Sequence, residues 1–440
     1  MSDQENWGED DDNDPDYVPP VEIENGHVTS TTEDDSESSD DDVPTTSTNG
    51  EFNTDLPTAH KYLGKLKHVS GYTLYDDGET LEVLAIYTTT MVFPGFTLPL
   101  VMNNYSEMSV MQTYIEKNSV FVLICANSKL NGLFEYGVTM EIFEAQVRNN
   151  ALHIKAKGRQ RCKLLGELKN WGGQLKQVNV KIMAEPEITS PICNTQMYTL
   201  KRLRPYTSKN YCDITKNYKY RRYHLCQYPI ESWVYDKYEV SYYVQLLLEG
   251  LSNYVGEYIP SDPVMLSYWF AQNYLLLHEE RLHLLQLNSA LERLRMEYKF
   301  LKRVRTIRCS GCDVEISDPT KVFAMSKDGI QSNYVNPGGH NYETVTVTSA
   351  QNFQLEGKPS KQFSWFPGYA WTIMHCKNCG KHLGWRFTSS TSKPYCFYGL
   401  AKGGIKVDIE GGWHGTKLRI FTAIFEETRG TTFSRDYIPL

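Results

Sequence analysis

Short apolar runs between polar breaks dominate the chain from about residue 58 to 190. Residues 80–86 and 119–125 are runs of this kind, whereas residues 152–156 and 178–183 alternate apolar with polar side chains. A period of two is typical of strands that bury one face. We therefore predict a β-rich domain with barrel-like character, interrupted by one helix over residues 138–146.

The apolar period changes to about 3.6 residues between residues 232 and 305, which predicts helices. A first helix carries apolar residues from Val240 to Leu251. Ser261-Asp262-Pro263 provides a capping residue followed by proline in the first turn, so a second helix is expected from there to about residue 277. A third is predicted over residues 279–303, and the three together indicate a helical bundle.

Strand patterns return after residue 306, with alternation at residues 345–348 and turn signals at residues 336–339 and 366–368. The Pro367-Gly368 dipeptide suits the two central positions of a type II turn. The predicted organisation is α+β and multidomain. It comprises a disordered acidic tail (1–57), a β-rich domain with a helical segment (58–305, helical from about 195), an all-β domain (306–411) and a C-terminal tail (412–440).

Charge is unevenly distributed along the chain. Residues 1–50 hold 17 of the 53 acidic residues and no lysine or arginine, so the remainder carries 36 acids against 45 bases. The acidic segment is too poor in apolar residues to fold, and the weakly basic remainder lacks the concentrated basic face of a nucleic-acid binder. With no signal peptide evident and no apolar run near the ~20 residues of a membrane span, we expect a protein of the cytoplasm and nucleus.

Two Cys-x-x-Cys pairs, Cys309–Cys312 and Cys376–Cys379, are the strongest chemical signal. Four thiolates match the tetrahedral preference of zinc, and a site closed by four cysteines is structural rather than catalytic. We therefore predict one structural Zn²⁺ that joins two distant parts of a small β-domain. A redox dithiol is the alternative, but it usually has one such pair at a helix N-terminus. The other six cysteines are interpreted as small buried residues.

Tryptophans cluster beside the second cysteine pair. Trp365 and Trp371 flank the Pro-Gly turn, and Trp385 and Phe387 lie two apart on a predicted strand, so the latter two share a face. Three indoles and a phenyl can then converge if the chain reverses at the cysteines. They could simply form the core of the domain, or they could form a box with free indole N–H donors, suited to a flat polar ring or a small cation.

Several motifs resemble the cereblon family. In the zinc domain these are Tyr334-Val-Asn-Pro337, Ser364-Trp-Phe-Pro-Gly-Tyr-Ala-Trp371 and Gly384-Trp-x-Phe387, which resemble its thalidomide-binding domain. Upstream, Val92-Phe-Pro-Gly-Phe-Thr-Leu-Pro-Leu100 resembles the Lon N-terminal domain. The resemblance covers about residues 58–410. It implies a Lon-like domain that includes the helical bundle, followed by a zinc-containing β-tent domain.

By this resemblance the chain is a non-catalytic substrate receptor of a cullin-RING ubiquitin ligase. Its helical segment would bind the β-propeller adaptor, which links it indirectly to the cullin and RING subunits. Its zinc domain would capture cyclic imides, such as a cyclised C-terminal Asn or Gln. The resemblance assigns Trp365, Trp371 and Trp385 to the walls, Phe387 to the base and Asn336 to the rim. It also implies that backbone groups near Phe363 and an indole N–H form hydrogen bonds with the imide.

Two departures from the family pattern lie at the rim, where Gln362-Phe363 replaces Glu-His and Gly338 replaces a histidine. Three other functions make different demands on the sequence. A methionine sulfoxide reductase would need Cys396 as its nucleophile. A Lon-type protease would need a phosphate-binding loop, and the chain has no G-x-x-x-x-G-K-[ST] motif. An aromatic cage could instead read methylated lysine.

Overall fold

The computed structural model describes residues 50–69, 74–117, 120–127, 132–172, 175–186, 234, 237–251 and 259–409. Most of the predicted acidic tail, much of the helical segment that begins near residue 195, and the predicted C-terminal tail lie outside the described residues. So do the cysteines at positions 193, 212 and 226.

The N-terminal half is built on a seven-stranded sheet with the order β1-β5-β4-β2-β7-β6-β3. Its strands are β1 (Lys67–His68), β2 (Thr80–Thr88), β3 (Thr97–Met102), β4 (Phe121–Asn127), β5 (Gly132–Arg148), β6 (Ala151–Gly172) and β7 (Leu175–Ile182). Strand β5 also pairs with β6, so the sheet curls back on itself. This confirms the predicted β-rich domain, including the strands expected at residues 80–86, 119–125, 152–156 and 178–183.

The helix predicted over residues 138–146 is wrong, because this segment is the middle of β5. The strand pairs with β4 on one side and β6 on the other, and its register shifts between Val138 and Met140 and again between Ile142 and Glu144. The bulges bring Ile142 and Ala145 into the same core although they are three residues apart. An interrupted strand therefore produced the spacing of a helix.

Within the described residues, the α-helices are α1 (Asp55–Thr58), α2 (Tyr105–Glu116), α3 (Val240–Leu251), α4 (Pro263–Asn273), α5 (His278–Gln286) and α6 (Ala290–Leu301). The predicted start of α4 is confirmed: Asp262 is the N-cap, and its side chain accepts from the Met265 N–H at 2.9 Å. No described helix is long and apolar enough to cross a membrane.

Two predicted helix ends need correction. Helix α4 stops at Asn273 and does not reach residue 277, because Tyr274 turns to extended backbone. The single helix expected over residues 279–303 is two helices, α5 and α6. At the break between α5 and α6, the Leu287 carbonyl accepts hydrogen bonds from the Arg161 side chain at 2.5 Å and from the Arg293 side chain at 3.0 Å.

A buried carboxylic acid lies in the helical part of the molecule. Glu297 on α6 is fully buried, and neither of its carboxylate oxygens has a hydrogen-bond partner. Burial raises its pKa well above the usual 4.5, with Arg293 acting in the opposite direction. The folded protein therefore holds a proton that the unfolded chain releases.

The folded state binds the Glu297 proton more tightly than the unfolded chain does, so protonation of Glu297 stabilises the fold. This contribution is complete below about pH 4.5 and is lost as the pH rises through the folded-state pKa. Glu297→Gln keeps the shape and needs no proton. We expect its melting temperature to exceed that of the wild type by a margin that widens between pH 5 and pH 8. Glu292→Gln, at an exposed site on the same helix, is the matched control. A margin that stays constant with pH would contradict this assignment.

The C-terminal half is all β, as predicted. A six-stranded antiparallel sheet has the order β10-β11-β15-β14-β13-β12, and a three-stranded sheet has the order β16-β8-β9. The strands are β8 (Arg305–Cys309), β9 (Glu315–Ser317), β10 (Gln331–Val335), β11 (Asn341–Val347), β12 (Phe353–Ser360), β13 (Ala370–Cys376), β14 (His382–Thr388), β15 (Cys396–Ala401) and β16 (Ile405–Ile409).

An ion cluster joins the two halves. Arg281 on α5 is buried and forms an ion pair with Glu343 on β11. Glu343 also accepts from Gln331 at 2.7 Å and pairs with Lys402 at 3.4 Å. Arg281 donates further to the Met91 carbonyl at 3.0 Å, so one guanidinium bonds to both halves.

Candidate metal centre and aromatic cage

The four predicted metal-binding cysteines converge. Their sulfur atoms all lie within 4.8 Å of one another. Cys309 Sγ is 3.6 Å from Cys379 Sγ, and Cys312 Sγ is 3.6 Å from Cys376 Sγ. Four thiolates around zinc at about 2.3 Å would stand about 3.8 Å apart, whereas a disulfide needs about 2.05 Å. The spacing fits a tetrahedral metal and excludes a disulfide in this geometry.

Local backbone geometry shapes both cysteine turns. Cys309 ends β8 and Cys376 ends β13, and each turn contains a residue in left-handed backbone, Asp313 at φ 64° and Gly380 at φ 71°. Burial raises the pKa of the Cys376 thiol, but the backbone N–H of Val314 and the side chain of Asn378 lower that of Cys312 to about 6. These donors favour the thiolate that a metal requires.

The tryptophans meet on one face of the β13–β14 hairpin. Trp371 on β13 stands opposite Phe387 on β14, two residues after Trp385. Trp365 reaches the same face from the loop before β13, through a type II turn in which Gly368 has φ 86° and the Tyr369 N–H bonds to the Phe366 carbonyl at 3.0 Å. The predicted turn and shared face are both confirmed.

The three indoles belong to one aromatic cluster. Trp365 and Trp385 meet edge to face, with ring centroids 4.6 Å apart at 72°. Trp371 packs against the aromatic cluster that contains Trp365 and Phe387, and its indole N–H donates to the Gln362 carbonyl at 2.8 Å. That bond fixes the orientation of the Trp371 indole. We call Trp365, Trp371 and Trp385 the aromatic cage.

The expectation of free indole donors is wrong for two of the three rings. Besides Trp371, Trp365 donates its indole N–H to the Val335 carbonyl, at 3.3 Å. The unused polar groups are on the backbone instead: among the described residues, no hydrogen bond engages the carbonyl of Phe363 or the backbone N–H of Trp365. The mouth of the cage thus offers one acceptor and one donor.

Phe387 lies beneath the cage. It is 1% exposed, stacks on Phe397 at 5.0 Å and contacts Phe366 at 4.8 Å, edge to face. The predicted base residue therefore belongs to the aromatic core that supports the cage. Cys396, which a reductase would need, is exposed at the start of β15 opposite Thr388 and is separate from the cage tryptophans.

Asn336 lies in the turn between β10 and β11, and its place at the rim of the cage stays a prediction. Its side-chain oxygen accepts from the His340 N–H at 2.8 Å, so this amide shapes the loop. The loop rests on the N-terminal half: Asn103 donates to the Gly338 carbonyl at 3.3 Å, and a Cβ on Gly339 would lie 2.7 Å from the Val101 carbonyl. A cavity of about 260 Å³ opens at this junction, outside the cage.

Sequence reasoning missed two tyrosines behind the cage. Tyr334 stacks flat on Trp365 at 4.9 Å, and Tyr342 meets Trp385 edge to face, also at 4.9 Å. The two tyrosines are cross-strand partners in the β10–β11 hairpin. The turn signal at residues 336–339 could have indicated this pairing to within one residue, because Tyr334 lies two residues before the turn and Tyr342 three residues after it.

Residues 50–57, assigned to the tail by composition, are folded in part. Phe52 is 7% exposed and meets Tyr369 edge to face at 5.3 Å. Its N–H donates to the Lys393 carbonyl at 3.1 Å. Farther along, the Tyr62 hydroxyl accepts from the Val335 N–H at 3.2 Å. A segment from the N-terminal side therefore packs against the aromatic core below the cage.

Comparison with known proteins agrees with this architecture. Residues 80–303 match the ATP-dependent protease La (LON) substrate-binding domain, and residues 305–401 match the Yippee zinc-binding/DNA-binding/Mis18 family. The chain is 32% identical to Protein cereblon of Gallus gallus over 376 residues, covering 80% of this chain and 84% of that protein. The chain belongs to the cereblon family. Protein cereblon of Danio rerio is 31% identical over 418 residues, covering 87% of this cereblon-family chain and 96% of the fish protein.

Proposed function

We propose that this cereblon-family chain is the substrate-recognition subunit of a cullin-RING ubiquitin ligase and captures cyclic imides in the aromatic cage. The observation that carries this proposal is the pair of unused backbone groups beside the aromatic cage, the Phe363 carbonyl and the Trp365 N–H. An imide edge presents one N–H between two carbonyls. The Phe363 carbonyl can accept from the imide N–H, while the Trp365 N–H can donate to an imide carbonyl. The flat ring then packs between the indoles.

The same groups argue against a reader of methylated lysine. A trimethylammonium group binds aromatic faces but has no hydrogen-bond donor or acceptor. Binding it would leave the Phe363 carbonyl and the Trp365 N–H without partners, and burying unpaired polar groups is unfavourable. The cyclic imide satisfies both groups and the ring faces together.

In this proposal the chain is not itself an enzyme. One zinc ion bound by Cys309, Cys312, Cys376 and Cys379 fixes the end of β13, the strand that carries Trp371, against β8. The helical segment contacts the β-propeller adaptor of the ligase in the cytoplasm and nucleus. Substrates ending in a cyclised Asn or Gln would thereby reach the cullin and RING subunits for ubiquitination.

Titration of the full chain with glutarimide, with N-methylglutarimide and with a trimethyl-lysine peptide tests the cage. Of the three ligands, we expect only glutarimide to bind and to change tryptophan fluorescence. N-methylglutarimide should not bind, because N-methylation removes the N–H that would donate to the Phe363 carbonyl. Trp371→Ala should weaken glutarimide binding at least about tenfold, since it removes one aromatic wall. Tyr395→Ala, at an aromatic residue that is 57% exposed and not part of the cage, is the matched control. Binding of the ammonium peptide alone would contradict the proposal.

Assembly is tested separately. The full chain, expressed with an affinity tag in cells, should co-purify with a β-propeller adaptor and a cullin. If neither appears while glutarimide still binds, the ligase assignment fails and the cage assignment stands.

A further inference from the structure

Phe363 occupies an unfavourable position. Its backbone is left-handed, with φ 55°, and its side chain is 55% exposed. Left-handed backbone is unfavourable for residues other than glycine, particularly bulky ones. Exposing a phenyl ring to water is also unfavourable. Glycine would fit this backbone without either penalty. Strained residues of this kind concentrate at functional sites.

The surrounding loop enforces this conformation. On one side, the Gln362 carbonyl accepts from Trp371, and the Gln362 N–H donates to the Ser360 hydroxyl at 3.2 Å. On the other, the Ser364 N–H donates to the Lys361 carbonyl at 3.3 Å, and the Ser364 hydroxyl donates to the Phe366 carbonyl at 3.0 Å. Bonds on both sides of Phe363 hold its phenyl ring outward.

Phe363 is adjacent in the chain to groups of the aromatic cage. Phe363 lies between Gln362, which is bonded to one cage wall, and Trp365, which forms another. Among the described aromatic residues, none makes a ring contact with its phenyl group. A cyclic imide bonded to the Phe363 carbonyl and the Trp365 N–H would direct its attached peptide out of the cage beside this phenyl ring.

We propose that Phe363 selects the residue that precedes the cyclic imide in a substrate and favours an aromatic or large apolar side chain there. This inference rests on the proposed capture of cyclic imides. The partner ring would cover the exposed phenyl group and gain an aromatic contact. The exposed Lys361, two residues away, disfavours a cationic side chain at the same position.

The test uses two peptides that end in a cyclised glutamine and differ only in the preceding residue, phenylalanine or glycine. The full chain should bind the phenylalanine peptide about three- to tenfold more tightly, the range expected for an aromatic pair. In Phe363→Ala this ratio should fall to about one. Phe363→Leu should retain a preference, because leucine still offers an apolar surface.

The outcomes separate the two proposals. If the wild-type chain binds neither peptide, the proposed capture of cyclic imides fails. If it binds both equally, or if Phe363→Ala keeps the wild-type ratio, the selection by Phe363 is overturned while imide capture stands. If Phe363→Ala and Phe363→Leu both lose the glycine peptide as well, Phe363 serves ring binding itself, which also overturns the inference.

Discussion

Cys376→Ser is expected to abolish zinc binding and to unfold residues 305–409 of the full chain. Structural zinc contributes about 10–16 kcal/mol in small zinc domains, which equals or exceeds the roughly 5–15 kcal/mol by which whole domains are stable. Cys376 is fully buried at the end of β13, so its loss removes one sulfur from the centre of the cluster. The cage should be lost with it, because β13 carries Trp371.

Metal analysis, near-ultraviolet circular dichroism and limited proteolysis measure these effects. The wild-type chain should contain one equivalent of zinc and lose it to a strong chelator with the same spectral change as the variant. Cys396→Ser replaces an exposed thiol outside the cluster and should keep both zinc and fold. A Cys376→Ser chain with the zinc content and melting temperature of the wild type would disprove the structural role of the metal.

Local chemistry explains which parts of the site could be predicted from the sequence. A Cys-x-x-Cys turn places two sulfurs within reach of one metal whatever surrounds it, so four cysteines identified the cluster without a structure. The Pro367-Gly368 turn and the shared face of Trp385 and Phe387 are also properties of a few consecutive residues. Each was confirmed, because each depends on spacing within one element.

The features that were missed depend on pairing between distant elements. Phe52 is buried against Tyr369, more than three hundred residues away, and nothing in its acidic surroundings indicates that contact. The bond from Trp371 to the Gln362 carbonyl depends on how the loop before β13 folds back. The helix wrongly predicted at residues 138–146 has the same origin, since bulges in β5 are set by its neighbours β4 and β6.

Glu185 also depends on distant partners, so we expect the stability of the fold to be sensitive to its substitution. It follows β7 and forms ion pairs with Arg161 on β6 and Arg293 on α6, the latter at 2.8 Å. Both arginine side chains are fully buried, whereas that of Glu185 is 26% exposed. The Tyr268 hydroxyl also donates to this carboxylate. Two buried cations therefore share one acidic side chain where the helices meet the sheet.

Glu185→Ala is expected to destabilise the protein by about 3–5 kcal/mol, because it leaves two guanidinium groups buried without a counter-charge. Glu185→Gln should have a similar effect: it keeps the hydrogen-bonding shape but loses the charge. Thermal and urea unfolding of the full chain measure the change.

Glu135→Ala is the matched control, since Glu135 pairs with Lys163 at 3.8 Å on the surface and such pairs contribute about 0–1 kcal/mol. If Glu185→Ala were no more destabilising than Glu135→Ala, the two arginines would be stabilised by their backbone acceptors, the Leu285 and Leu287 carbonyls, and not by the charge of Glu185.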